Sequence, residues 1–353
     1  MDQVAPDKNG TTAARLETIG APPAAVEIFS TCPESSRVAP ELYRQRVVDV
    51  AHWSEEAGCR GILVYSDNSL LDPWLLAHLI IQNTTALCPL VAVQPIYMHP
   101  YSVAKIAASF GQLYGRRIYL NMIAGGFKND LLAMNDTTPH DERYDRLVEY
   151  TMIIKRLLAG PAPVTFEGKF YRTDKLKLTP PLSGDLFPGI FISGSSEAGM
   201  AAATAIRATA VKYPRPPGEE ESVVDCGLDC GVRVGIIARE REEDAWEAAY
   251  RQFPEDRKGQ ITRELATKVS DSLWHKQLAE SDRASERSPY WLVPFQNYKT
   301  MCPYLVGSYG AVAGELTRYI LSGYSKFILD IPHSAEELQH SRIAFGRALG
   351  KCS

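Results

Sequence analysis

Residues 117–146 read RIYLNMIAGGFKNDLLAMNDTTPHDERYDR, and the class of fold turns on how this stretch divides. Ile118 to Ile123 is apolar with a β-branched residue at each end, the composition of a strand. Gly125-Gly126 breaks it, and a glycine pair without Cβ atoms lets the backbone come close to a ligand. After an irregular loop, His140-Asp141-Glu142-Arg143-Tyr144 opens a long helix that runs to Leu158. His140 and Tyr144, four apart, share one face of it. Asn121 lies inside the strand, a poor place for an amide unless something there takes its hydrogen bonds.

Outward from this stretch, strands and helices alternate. Strand candidates are Ala25–Thr31, Gly61–Tyr65, Leu90–Gln94, Ile118–Ile123, Gly189–Ile192, Thr209–Tyr213, Val232–Ala238 and Phe327–Asp330. Gly61–Tyr65 (GILVY) is continuously apolar, as a strand covered on both faces must be. Between them lie helical segments such as Glu41–Gly58 and Ser102–Leu113, and Asp72-Pro73-Trp74 is placed to cap and start another. Eight such strands predict an α/β fold, a (β/α)8 TIM barrel with insertions. The rival, an open doubly wound sheet, lacks a Gly-x-Gly-x-x-Gly turn.

Three departures from a regular barrel are expected. PAPVTFEGKFYRTDKLKL reads as a hairpin, and the Pro-rich acidic run after Thr209–Tyr213 is too short for a full helix. Residues 254–303 lack strand periodicity and end in aromatics, the character of a lid. Tyr304–Leu321 opens the last helical region, and Ala335–Leu349 closes the chain. Residues 1–22 read as a leader, and 23–353 as a single barrel domain.

Composition narrows the function. The chain has 353 residues, 45% hydrophobic, with net charge −4 and both signs interspersed, which argues against a nucleic-acid surface. No apolar run reaches the ~18 residues of a spanning helix, and the acidic N-terminus is not a secretory signal. With seven cysteines and no signal, reduced thiols and a cytoplasmic setting are expected. Cys226 and Cys230 lack the second ligand pair that a zinc site requires.

In a barrel, ligands meet the C-terminal ends of the strands. Ser193-Gly194-Ser195-Ser196-Glu197 joins a strand to a helix of small residues, and its hydroxyls and free N–H groups suit an anion. A plain serine N-cap accounts for the same residues. The His140–Tyr144 pair is open to a similar alternative, an N-terminal capping cluster with Asp141 and Glu142.

These motifs resemble the luciferase-like flavin-dependent monooxygenases, particularly the alkanesulfonate monooxygenase branch. The likeness runs from Asn121 through Gly125-Gly126 to His140-Asp141-Glu142-Arg143-Tyr144, and includes Phe166-Glu167-Gly168-Lys169, Gly194-Ser195-Ser196, Val232-Arg233-Val234 and Leu305–Tyr309. It spans about Val47 to Arg347. The resemblance implies a luciferase-like barrel and a bound FMN. Gly194, Ser195 and Ser196 would hold the phosphate, His140 and Tyr144 the ribityl–phosphate part, and Asn121 and Ala124 would lie against the ring system. It further implies reduced FMN (FMNH2) delivered by a separate NAD(P)H:flavin reductase, O2 as cosubstrate, a C4a-(hydro)peroxyflavin, and a homodimer.

Substrate positions depart from the sulfonate branch. Its cysteine falls at Leu70 or Leu71, its strand-seven histidine at Gly235, its tryptophan near Tyr213 and its final-strand tyrosine at Ile331. Arg233 remains, and one arginine is thin provision for a sulfonate. Arg233 and Tyr213 are therefore substrate candidates for an apolar or carrier-tethered molecule, with His99 and Tyr65 as catalytic candidates and Arg143 as an ion-pair partner. A deazaflavin-dependent oxidoreductase of the same fold and a catalytically silent flavin-binding protein are the alternatives.

Overall fold

The structure, a computed structural model, describes residues 25–125, 128–194, 196–216, 219, 222–224, 226–254, 288–297 and 299–352. Eight parallel strands close on themselves in the order β1 (Glu27–Thr31), β2 (Gly61–Val64), β3 (Cys88–Val93), β4 (Tyr119–Met122), β7 (Gly189–Ser193), β8 (Thr209–Lys212), β9 (Cys230–Arg239) and β12 (Tyr324–Leu329). The last pairs with the first, Phe327 opposite Ile28, so this sheet has no free edge. The expected barrel is present, each strand within a few residues of its predicted bounds.

Alternation within the strands decides what fills the barrel. Phe29, Leu63, Leu90, Tyr119, Phe191, Val211 and Ile328 point inward and form one apolar plug. Its centre is three edge-on aromatic pairs, Phe29–Tyr119 and Phe29–Phe191 at 5.3 Å and Tyr119–Phe191 at 5.8 Å. The alternate residues pack outward on helices that include α1 (Pro40–Glu56), α2 (Pro73–Gln82), α3 (Pro100–Tyr114), α5 (His140–Leu158) and α6 (Glu197–Ile206). Asp72 caps α2 as expected, accepting from the Trp74 and Leu75 amides. Above the plug the inward positions turn polar, with Thr31, Gln94 and Asn121 buried at the C-terminal ends of their strands and Arg233 buried within β9 before its outer half. That end is the mouth.

The insertions differ in how well sequence anticipated them. The hairpin is β5 (Val164–Glu167) against β6 (Arg172–Leu176), and its turn is clasped by the Glu149 carboxylate, which accepts the Lys169, Phe170 and Tyr171 amides. Between β8 and β9 the described residues form no helix, and the loop is tied down by Tyr290 and Tyr319 hydroxyls donating to the Pro214 and Arg215 carbonyls. The segment beginning at Tyr304, expected to be helical, is instead strand β11 (Tyr304–Ser308), which runs parallel to Gly235–Arg239, the outer half of β9. Only then does α9 (Tyr309–Leu321) begin. Of the expected lid, β10 (Tyr290–Trp291) and α8 (Val293–Gln296) are ordered elements, while residues 255–287 and 298 lie outside the described residues, as does the leader through residue 24.

Candidate active site

One side of the mouth is built by β4, β7 and the helices that follow them. Asn121 is buried on β4, and its Oδ1 accepts from Ser193 Oγ on the neighbouring strand at 3.0 Å. Ala124 is buried just beyond, and Gly125 takes φ +105°, a left-handed conformation against Leu131 that a side chain would strain. From the first turn of α5, the buried Tyr144 reaches across to the β7–α6 loop. A Cβ on Gly194 would stand 2.6 Å from the Tyr144 hydroxyl, so only glycine admits this approach. Burial raises the Tyr144 pKa, and the Ser196 hydroxyl beside it works against the rise. Ser196 Oγ also accepts the Gly199 amide at 3.1 Å and so caps α6.

The serine cap is thus real, and it is joined to Tyr144. His140, half-buried, packs edge-on to Tyr144 at 5.3 Å, and its Nδ1 lies 2.7 Å from Asp141 Oδ1. No side chain caps α5, whose N-cap is Pro139, so the pair is not a capping cluster. Ser195 and Gly126 lie outside the described residues. The start of α5 is fixed by a lock that sequence reading did not find. Asp136 Oδ1 accepts from the Thr138 amide at 3.1 Å and hydroxyl at 2.6 Å, and Oδ2 accepts from Arg146 at 2.6 Å. Burial pushes the Asp136 pKa up, but the bonds from Arg146 and Thr138 outweigh it and bring it down to about 2. Arg143, expected as an ion-pair partner, is buried and donates to the Thr138 carbonyl at 3.2 Å.

The opposite side is built by β9, β11 and β12. Arg233 points inward from β9, its guanidinium 4.9 Å from the Tyr65 ring and Nη2 3.4 Å from Asp330 Oδ1. Asp330 Oδ2 accepts from the Tyr304 hydroxyl at 2.9 Å. The Tyr304 ring occupies the space where a side chain at position 235 would go, 2.3 Å from a Cβ built on Gly235. Burial, reinforced by the Asp330 charge, raises the Tyr304 pKa well above the ordinary phenol range. Tyr304 and Asp330 as a unit were not anticipated; the glycine at 235 was the one signal for them.

The remaining candidates scatter. His99 caps α3, its Nδ1 accepting the Tyr101 amide at 3.2 Å, and it is exposed. Tyr213 is half-buried between the barrel core and the Trp246–Trp291 cluster, and burial raises its pKa. A cavity of ≈ 270 Å³ opens over β2 and β3, lined by Ser66, Asn68, Leu70, Trp74, Gln94 and Tyr97 among others. Among the described residues, no His, Cys, Asp and Glu cluster could hold a metal, and no helix is long and apolar enough to cross a membrane. Cys226 and Cys230 are free thiols with sulfurs 3.3 Å apart.

A polar mouth on an eight-stranded barrel, with a glycine-framed helix N-terminus beside strand five, is matched over residues 26–326 by the family model for the luciferase-like monooxygenases. The chain belongs to that family. It is 35% identical over 313 residues to the 4-(gamma-L-glutamylamino)butanoyl-[BtrI acyl-carrier protein] monooxygenase BtrO of Niallia circulans, covering 86% of this chain and 92% of that one. The fold is similar to that of the EDTA monooxygenase EmoA from Chelativorans sp. BNC1, with TM-score 0.72, 15% identity and 93% and 94% of the two chains covered. It is similar also to riboflavin lyase RcaE, solved with modified FMN and riboflavin, with TM-score 0.71, 14% identity and 93% and 92% covered.

Proposed function

We propose that this protein is a two-component monooxygenase that uses reduced FMN and O2 to oxygenate an acyl group carried on an acyl-carrier protein. The observation that carries the flavin part is the convergence of Tyr144, Ser196 and the α6 N-terminus at Gly194, where a Cβ would collide with the hydroxyl. The fit is chemical as well as steric. A phosphate monoester wants several N–H and O–H donors and a positive helix end, and this cradle supplies them. Tyr144, His140, Ser196 and Ser195 would hold the phosphate and ribityl chain, and Asn121 and Ala124 would back the ring system.

When bound, reduced FMN supplies the electrons that let O2 react with an organic molecule. The chain's own tasks are to fix the phosphate, to keep water out of the mouth and to orient the acyl group. Tyr65 and His99 remain the candidates for moving a proton, and Arg233 and Tyr213 for contacting the acyl group. The apolar plug floors the mouth, so substrate enters from the strand ends. No nicotinamide-binding turn occurs in the sequence, which suits delivery of reduced FMN by a separate reductase. The carrier-tethered substrate is supported by the relation to BtrO over 92% of its length.

The test is direct. The protein is mixed with reductase, NADH, FMN, O2 and an acyl-carrier protein loaded with the 4-(γ-L-glutamylamino)butanoyl group. Intact-mass spectrometry should find one added oxygen atom, carrying heavy label when isotopic dioxygen is used. Substrate oxidation under strict anaerobiosis with a deazaflavin, and none with FMN and O2, would overturn the reading.

A further inference from the structure

The Arg233 side of the mouth carries its own counter-charge. We propose that this neutralisation sets the substrate class: beside Arg233 the mouth takes an uncharged hydrogen-bond acceptor, an amide or thioester carbonyl, and Asp330 is the specificity-determining residue that turns away carboxylates and sulfonates. The inference rests on the reading of the mouth as the substrate site and deepens it.

A buried guanidinium keeps its charge only beside a partner. Here Asp330 is that partner, 3.4 Å away, with both side chains less than a tenth exposed. Asp330 is held in place from a third element, because Tyr304 donates to its other oxygen at 2.9 Å. Tyr304 can reach it only because position 235 is glycine and leaves the ring its space. The cluster is therefore held together by the chain's own contacts.

What remains unsatisfied is a donor. Arg233 Nε is buried and has no hydrogen-bond partner among the described residues. A carbonyl oxygen would satisfy it without bringing a second charge. A carboxylate or sulfonate would meet the same donor, but in a water-poor site it would also face the Asp330 carboxylate, and like charges at short range oppose each other there. Among the described residues the neighbouring histidine does not compensate, since burial lowers the His333 pKa and favours its neutral form, against the opposing pull of Asp330 and Glu337.

Ligand-observed NMR titration of the full chain with pentanamide, pentanoate and pentanesulfonate decides the matter. The wild type should bind pentanamide at least about tenfold more tightly than either anion. Asp330→Asn, nearly isosteric, should strengthen pentanesulfonate binding by about tenfold while changing pentanamide binding little. Arg233→Met should remove the pentanamide signal. Anion binding as tight as amide binding on the wild type, or an Asp330→Asn protein in which neither moves, would overturn the proposal. The wild-type comparison needs no variant, so a misfolded Asp330→Asn protein leaves the result decidable. Neither flavin nor O2 takes part, so failure here leaves the oxygenation reading standing, and the reverse holds equally.

Discussion

On one side of the mouth, Asn121, Tyr144, Ser193, Gly194 and Ser196 all come from a span of chain that crosses two neighbouring strands and the helices after them. On the other, Arg233 meets Tyr65 from strand two, Asp330 from strand eight and, through Asp330, Tyr304 from an inserted strand. Both sides use the same device, a glycine whose missing side chain is replaced by a tyrosine from elsewhere. On the Asn121 side that tyrosine lies 50 residues earlier (Tyr144 and Gly194), and on the Arg233 side 69 residues later (Gly235 and Tyr304). The members of the first pairing lie in two motifs each legible in the sequence; those of the second meet only after the barrel has closed.

The largest break in this comparison should come from Gly235→His. The imidazole would enter space held by the Tyr304 ring, 2.3 Å from the Cβ position. Overpacking of this kind costs about 1–3 kcal/mol, and the upper end is expected here because three elements meet at the ring. Thermal unfolding should record the loss, and adding Tyr304→Ala should recover part of it, a non-additive pair in a double-mutant cycle. If the two changes simply added, the ring would not be occupying that space.

Next in size is Asp136→Asn at the start of α5. The folded-state pKa of about 2 lies below the ordinary value of 3.8, so the stabilisation is complete above 3.8 and is lost as pH falls through about 2. A shift of this size corresponds to about 2 kcal/mol. Denaturant titrations should find that gap between wild type and variant at neutral pH, and should find it closing between pH 3.8 and about 2. A gap that persisted unchanged to the lowest pH would show that the ionised carboxylate does not hold the loop.

The two smaller effects concern the cradle itself. Tyr144→Phe keeps the ring packing against His140 and removes only the hydroxyl that faces Gly194 and Ser196, so reduced-FMN binding should weaken by about 0.5–1.5 kcal/mol, a few-fold to about tenfold, with little change in melting temperature. The smallest change is expected for His99→Ala, which removes an exposed cap of about 1 kcal/mol or less and should leave the FMN affinity alone. A large loss of FMN binding in the His99 variant would extend the cofactor cradle to α3.

The barrel itself was legible because eight short runs rich in apolar and β-branched residues, one of them (Gly61–Tyr65) apolar throughout, alternate with helices and admit few arrangements. Asp72 and Pro73 marked the start of α2 for a reason that acts within one turn. The misreading at Tyr304–Ser308 has an equally local cause. YLVGS runs directly into α9 through the Ser308 cap, and five apolar or small residues without an intervening turn read as helix as readily as strand. The Asp136 lock and the Glu149 clasp were invisible because acids in polar loops give no sign of which amides they will meet. The contact of Tyr304 with Asp330 was invisible for a different reason: it depends on a vacancy at Gly235, seen only when the strands are side by side.

The central claim, an FMN phosphate held at the α6 N-terminus and against Tyr144, is tested most directly by anaerobic titration with reduced FMN and with reduced riboflavin, which lacks the phosphate. Wild-type protein should prefer FMN by at least about tenfold, and Gly194→Ala, which pushes the Tyr144 hydroxyl aside, should erase most of that preference. Equal affinities for the two flavins in the wild type, or a preference that survives Gly194→Ala intact, would contradict it.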